Sequence, residues 1–383
     1  MNTAAPRWCV RPAPGQNELL SSWLHRLALA NAIADHTLCR HMFGRLAIWN
    51  RDVDRCFPEE AFPILSQWAG VAESQLAAMK LTHWAGRLSE SVNRYGNNVW
   101  ILPVGVFHRI RRRCGLQFCA ACLREGPIDA VWKWRMAWAT CCRRHQLVLL
   151  EDCPGCGSPY VPHRMAPSLF GRACCPWCGT DVSRATQRAA EHGEIEMQQR
   201  LETALLEGHT QIDNHGYFAL PLFEGLRRLV RVVLSAKWPD LALKVRGIQL
   251  TPVRFANGTA VFEFQHVAIR REVLSVVWVL LKNWPNRFLA KMREASIPRH
   301  AFDQEGQPVP FWLQQGLDHV PGTQPRVLEE EEVLGMCRWL AHQGERVTWT
   351  SVLQAFGIEH CSFKQPCITP ALVRFAQESS YRR

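Results

Sequence analysis

The chain has 383 residues, enough for two or three domains with a sizeable buried core, and its 47% hydrophobic content excludes a disordered chain. Against 34 Asp and Glu stand 45 Lys and Arg; the formal net charge of +11 favours an anionic partner such as nucleic acid. No stretch of about 18 apolar residues exists and residues 1–20 carry no leader-like apolar run, so the expectation is a cytoplasmic protein with no membrane segment.

The fold class expected is mainly α, in three parts. Residues 1–113 read as a helical domain. Leu20, Trp23, Leu24, Leu27 and Ala28 fall at the i, i+3, i+4 spacing of one helix face, with Asn17 placed to cap it. Residues 64–79 read as a helix-turn-helix, with Gly70 where the turn needs a left-handed residue and Val71, Leu76 and Met79 at buried positions of the second helix. Residues 114–184 form a cysteine-rich module with little β structure. Residues 185–383 are again helical: Glu194–Leu206, Leu220–Ala236, Arg271–Lys282, Arg287–Glu294 and Leu328–His342 have helical apolar periodicity. Asn283-Trp-Pro-Asn interrupts the series, and residues 347–363 are a second helix-turn-helix candidate. The acidic run Glu329–Glu332 opens a helix, where the macrodipole favours negative charge.

Ten of the sixteen cysteines lie between Cys114 and Cys178. Without a leader, this density points to reduced thiols and metal rather than disulfides; the scattered Cys9, Cys39, Cys56, Cys337, Cys361 and Cys367 read as buried small apolar residues. Cys119-Ala-Ala-Cys122 is followed after 19 residues by Cys142-Arg-Arg-His145, and Cys153-Pro-Gly-Cys156 after 18 residues by Cys175-Pro-Trp-Cys178. Each short turn holds two donors on one side of a loop, and two such halves close a tetrahedron around Zn²⁺. Two structural zinc ions are expected. Sequential pairing places Cys119, Cys122, Cys142 and His145 in one site and Cys153, Cys156, Cys175 and Cys178 in the other. Interleaved pairing is the alternative, Cys141 and Cys174 compete with their neighbours as ligands, and Cys114 is a spare. Four thiolate-rich ligands per ion leave no open position for catalysis, so no catalytic residue is assigned. His163 reads as a surface residue.

Within the first insert, Trp134 and Trp138 would share a face if the segment were helical, to pack the module against its neighbours or to stack on bases. Residues 101–150 hold nine Lys or Arg against two acids. Arg109, Arg111, Arg112, Arg113, Arg143 and Arg144 are the candidate nucleic-acid contacts, acting on phosphates without regard to sequence.

These residues resemble the TniQ family, also called the TnsD/TniQ family of transposon target-selection proteins. The resemblance rests on the opening Pro-Gly-Gln-Asn-Glu-Leu-Leu-Ser-Ser-Trp-Leu-His-Arg-Leu-Ala of residues 14–28, on Cys119-Ala-Ala-Cys-Leu, on Trp134-Arg-Met-Ala-Trp with Cys142-Arg-Arg-His145, and on Cys153-Pro-Gly-Cys-Gly. The doubled Cys141-Cys142 and Cys174-Cys175 depart from the family pattern. The resemblance implies a bacterial, non-enzymatic accessory protein of transposition. It would bind target DNA directly or dock on an RNA-guided CRISPR effector, and recruit an AAA+ ATPase that brings the transposase; a homodimer is compatible with this. Two readings from other classes stand beside it, a zinc-containing DNA-binding transcription regulator and a metal-dependent nuclease or recombinase. No Walker A loop, Gly-rich dinucleotide turn or Gly-x-Ser-x-Gly elbow occurs, whereas acidic residues are spread throughout.

Overall fold

The computed structural model describes residues 7–104, 116–126, 131–165, 173–303, 307–320, 328–356 and 367–380. The chain divides into two compact units, Met1–Ile297 with Val309–His319, and Pro298–Pro308 with Val320–Arg383. The architecture is mainly α, and the two sheets among the described residues are two-stranded hairpins.

The first unit begins with five short helices, α1 (Leu20–Ala30), α2 (Asp35–Phe43), α3 (Val53–Cys56), α4 (Ala61–Ala69) and α5 (Glu73–Ala78). Leu20, Trp23, Leu24, Leu27 and Ala28 of α1 are all fully buried. They face Leu38 and Met42 of α2, Phe62 and Leu65 of α4, and Leu76 of α5 in one apolar cluster. Gly70 joins α4 to α5 at φ 70°, a conformation that costs a side-chain-bearing residue about 1 kcal/mol. Asn17 does not cap α1. It sits at φ 66°, and Leu19 takes the cap position. Asn17 instead accepts two bonds from Trp132, backbone N–H to its carbonyl at 3.0 Å and indole N–H to Oδ1 at 3.3 Å. A tertiary partner has displaced the local cap.

The cysteine-rich stretch contains α6 (Ala120–Glu125) and the hairpin β1 (Cys141–Cys142) with β2 (Leu147–Val148), which pairs Cys141 with Val148 and Cys142 with Leu147. Its tryptophans do not lie on an α-helix. Residues 132–135 make a single 3₁₀ turn, and after Met136 the chain turns again, Ala139 N–H donating to the Met136 carbonyl at 3.1 Å. Trp132 packs on Trp84 at 4.6 Å, Trp134 is buried, and Trp138 is 1% exposed. These rings pack the module to its surroundings and have no free face for a base.

The remainder of the first unit comprises α7 (His192–Glu207), the hairpin β3 (His209–Ile212) and β4 (His215–Phe218), α8 (Ala219–Val233), α9 (Leu241–Arg246), α10 (Val267–Leu281), α11 (Asn286–Glu294) and α12 (Phe311–Leu317). Phe223 of α8 meets Trp100 and Trp138, so the N-terminal segment, the cysteine stretch and α8 share one core. Arg270 of α10, fully buried, donates to the Ala137 carbonyl and to Gln117 and pairs with Glu151. The second unit packs α13 (Glu330–His342), α14 (Trp349–Ala355) and α15 (Ile368–Ser380) around Leu328, Val333, Cys337, Leu340, Val352, Ile368 and Ala371. Glu329 and Glu332 form the capping box of α13, as the acidic run predicts. The second half of the residue 347–363 candidate lies outside the described residues, as does Cys361. Among the described residues no helix is long and apolar enough to cross a membrane.

Candidate metal centres

The first set is built by α6 and the β1–β2 hairpin. Cys119 occupies the N-cap of α6 and Cys122 its first turn, while Cys142 ends β1 and His145 lies in the turn before β2. Their four ligand atoms all lie within 4.8 Å of one another. His145 Nδ1 is 3.6 Å from Cys119 Sγ, 3.3 Å from Cys122 Sγ and 3.5 Å from Cys142 Sγ, and the last two sulfurs are 3.6 Å apart. A tetrahedron with Zn–S near 2.3 Å and Zn–N near 2.0 Å spaces its sulfurs about 3.8 Å apart and nitrogen from sulfur about 3.5 Å. The donor set fits zinc in chemistry and in spacing.

Neighbouring groups orient these donors. His145 turns Nδ1 inward because Nε2 lies 2.9 Å from Glu125 Oε1, a carboxylate placed by the end of α6. That contact, the largest cause, and the nearby Arg144 guanidinium hold the Glu125 carboxyl below its usual range. Gln187 Oε1 accepts from the Ala120 backbone N–H at 2.9 Å while its amide donates to the Val148 carbonyl at 2.7 Å, tying the α6 half to the hairpin half.

The second set is two copies of one loop. Gly157 N donates to the Cys153 carbonyl and Cys153 N to the Ser158 carbonyl; Gly179 N donates to the Cys175 carbonyl and Cys175 N to the Thr180 carbonyl, all at 2.8–2.9 Å. Gly157 and Gly179 have φ 65° and 75°, the left-handed turn this loop requires. Cys153 and Cys178 sulfurs are 3.6 Å apart, those of Cys156 and Cys175 3.7 Å, and all four lie within 4.8 Å of one another. The Thr180 hydroxyl beside Cys178 pulls that thiol down to about 6, while burial pushes the Cys175 thiol up to about 12. A Cβ on Gly155 would fall 2.3 Å from Thr180 Oγ1. Gly155→Ala must therefore part the two loops; zinc bound per chain, measured by elemental analysis, is expected to fall toward one, with the first set retained.

Cys141 and Cys174 lie outside both sets. Cys141 points at Gln198 Oε1, 3.2 Å away, and burial raises its thiol to about 12; Cys174 is buried and bridges to Asp181. Cys39 and Cys337 are buried as expected, whereas Cys9 is exposed and Cys56 and Cys367 are half-buried. His163 is not a plain surface residue. Its ring stacks on Trp49 at 4.5 Å, and burial, foremost, drives its pKa down to about 3, so it is neutral at pH 7. Of the candidate nucleic-acid contacts, Arg143 pairs with the buried Glu202 at 2.6 Å, and Arg144, 71% exposed, reaches Glu125 at 2.8 Å. Arg109, Arg111, Arg112, Arg113 and Cys114 lie outside the described residues.

Sequence reading missed a buried charge network. Arg135, 1% exposed, donates from Nη1 to Asp54 at 2.7 Å and from Nη2 to Asp52 at 2.6 Å and to the Leu102 carbonyl at 3.1 Å. Arg55 also bonds Asp52, at 2.7 Å, and Asp54 accepts from the Ser21 backbone N–H and hydroxyl. The same logic explains the rest of the Ser-Ser-Trp-Leu-His-Arg run. Glu18 accepts from Ser22 and Arg26, the Trp23 indole N–H reaches the Pro12 carbonyl, and His25 Nδ1 lies 2.9 Å from Asp35. The run is polar yet interior, and its partners sit up to 33 residues away. The only signal in the sequence was polar residues recurring on an otherwise apolar helix.

Residues 9–149 match the family model described as TniQ. The matched segment takes in α1–α5, the Arg135 network and the first cysteine set, and stops before the second. No curated protein matches the chain.

Proposed function

We propose that this chain, which belongs to the TniQ family, selects the target site for a transposon and recruits an AAA+ ATPase that in turn brings the transposase. The TniQ domain indicates an accessory role in transposition target selection, in a family whose members are not catalysts. The observation that carries the reading is the match over residues 9–149, because it covers the N-terminal helices, the buried Arg135 network and the first metal set together.

In this reading Cys119, Cys122, Cys142 and His145 hold one Zn²⁺ and Cys153, Cys156, Cys175 and Cys178 a second. The metal supplies folding energy and fixed loop geometry. Support comes from closed sets of four soft donors, whose thiolates damp Lewis acidity. We place the protein in the bacterial cytoplasm, where reduced thiols persist. The α4–α5 pair suits protein docking better than base reading. The exposed residues of α5 are Glu73, Ser74, Gln75, Ala77 and Ala78, which include one acid and no base. An RNA-guided effector or the ATPase is the partner this surface fits.

Affinity capture of the tagged chain from its host, with bound proteins identified by mass spectrometry, tests the proposal. Recovery of an AAA+ ATPase is expected. Recovery of neither an ATPase nor effector subunits, together with tight binding to one particular duplex, would replace it by a transcription regulator.

A further inference from the structure

The N-terminal segment sorts its charges by depth. Between residues 7 and 58 the acids are Glu18, Asp35, Asp52 and Asp54, and none is more than 7% exposed. Each has its partner inside: Glu18 pairs with Arg26, Asp52 with Arg55 and Arg135, Asp54 with Arg135, and Asp35 lies 2.9 Å from His25 Nδ1. The remaining arginines, Arg7, Arg11, Arg40, Arg45 and Arg51, are all exposed. None of the five has a carboxylate within ion-pair distance among the described residues.

Tertiary packing gathers three of them. The strap before α1 is stitched to the C-terminal end of α2 by Trp8. Its indole N–H reaches Met42 Sδ at 3.1 Å, and its ring lies 5.5 Å from that of His41 and 5.3 Å from that of Trp68. Arg7 immediately precedes Trp8 in this strap, the last turn of α2 carries Arg40 and His41, and Arg45 follows directly after Gly44. The helix C-terminus attracts cations but presents only about half an elementary charge. Most of the positive potential of this face is left for an outside partner.

Resting on the target-selection reading, we propose that Arg7, Arg40, His41 and Arg45 form a face that holds the phosphodiester backbone of double-stranded DNA, without reading its bases. The aromatic rings select duplex over single strand. Single-strand binders offer free aromatic faces to stacked bases, whereas Trp8 and Trp68 are half-buried against each other and His41. Contacts confined to phosphate fix position and not sequence, so the partner docked elsewhere on the chain supplies the choice of site.

The test uses the full zinc-loaded chain and a fluorescein-labelled duplex of arbitrary sequence. Anisotropy is followed for a duplex of about 30 base pairs between about 50 and 200 mM salt. The wild type is expected to bind with a steep salt dependence. The double variant Arg40→Glu/Arg45→Glu is expected to bind at least about tenfold more weakly at low salt, its slope of log K against log salt smaller by about two. Arg293→Glu, an exposed arginine of α11 outside this face, is expected to stay within about twofold of wild type. Should the glutamate pair disturb folding by circular dichroism, Arg40→Gln/Arg45→Gln must still reduce the slope by about two. Unchanged affinity and slope in these variants overturn the assignment, as does absence of duplex binding by the wild type. A same-length RNA duplex binding more tightly, with the same response to the variants, overturns the choice of DNA. Capture of the ATPase is scored on the same proteins. Loss of duplex binding with capture intact supports both ideas, whereas failure of wild-type capture removes the target-selection reading whatever the duplex does.

Discussion

Cys119→Ser is expected to halve the zinc content, from two ions per chain to one, and to abolish cooperative melting of the first unit at its wild-type temperature. Cys119 is fully buried, and its sulfur lies 3.6 Å from His145 Nδ1. A serine hydroxyl is protonated at neutral pH and does not replace a thiolate. Structural zinc contributes on the order of 10 kcal/mol to small modules, comparable to the whole stability of a domain. The damage spreads because β1 is bound to α7. Gln198 Oε1 accepts from the Thr140 and Cys141 backbone N–H groups at 3.1 Å, and its amide donates to the Cys141 carbonyl at 2.8 Å. Cys141→Ser provides the contrast. Its sulfur faces Gln198, so that variant is expected to keep two ions and lose only about 1 kcal/mol. Elemental analysis and calorimetry on both proteins decide the matter; equal metal loss in the two would refute the ligand set proposed for this site.

Arg135→Met is the second large effect, a loss of about 3–5 kcal/mol, because it leaves two carboxylates buried beside each other with Arg55 as the remaining cation. Its pH dependence carries the diagnosis. Burial alone would raise the Asp52 pKa, but Arg135 and Arg55 outweigh it and the net direction is down. That contribution is present above the unfolded value and is lost as pH falls through the folded one. Asp54 goes up, driven first by burial, so its contribution is present at low pH and lost as pH rises through the folded value. Without Arg135 both carboxyls shift upward. The deficit of the variant should therefore shrink as pH is lowered toward about 4, where neutral carboxyls are cheaper to bury. Denaturant unfolding at several pH values measures it, and a deficit independent of pH would mean that lost packing, and not lost charge, is responsible.

Much of the candidate site was legible because its signals are local. A Cys-x-x-Cys turn needs few residues to define it, and the loops around Cys153 and Cys175 repeat the same backbone bonds. Helix positions followed from apolar periodicity, as in α10, where Val276, Val277, Leu280 and Leu281 are buried. Non-local competition defeated the same reading elsewhere. Asn17 has the right side chain for a cap and uses it on Trp132, 115 residues away. Trp134 and Trp138 have helical spacing but sit in two successive tight turns, because the hairpin and the core around Phe223 dictate the path there.

By itself the sequence determined the α class, the four two-donor half-sites and the family signature, since each depends on spacings of a few residues that any compact fold must respect. Only the tertiary structure decided which cysteine of each doublet faces the donor set, where the interior acids find their cations, and which arginines remain outside. Those outcomes depend on burial and on partners distant in the chain. A charge costs little at the surface and several kcal/mol unpaired inside, so its role is fixed by depth, which spacing does not encode.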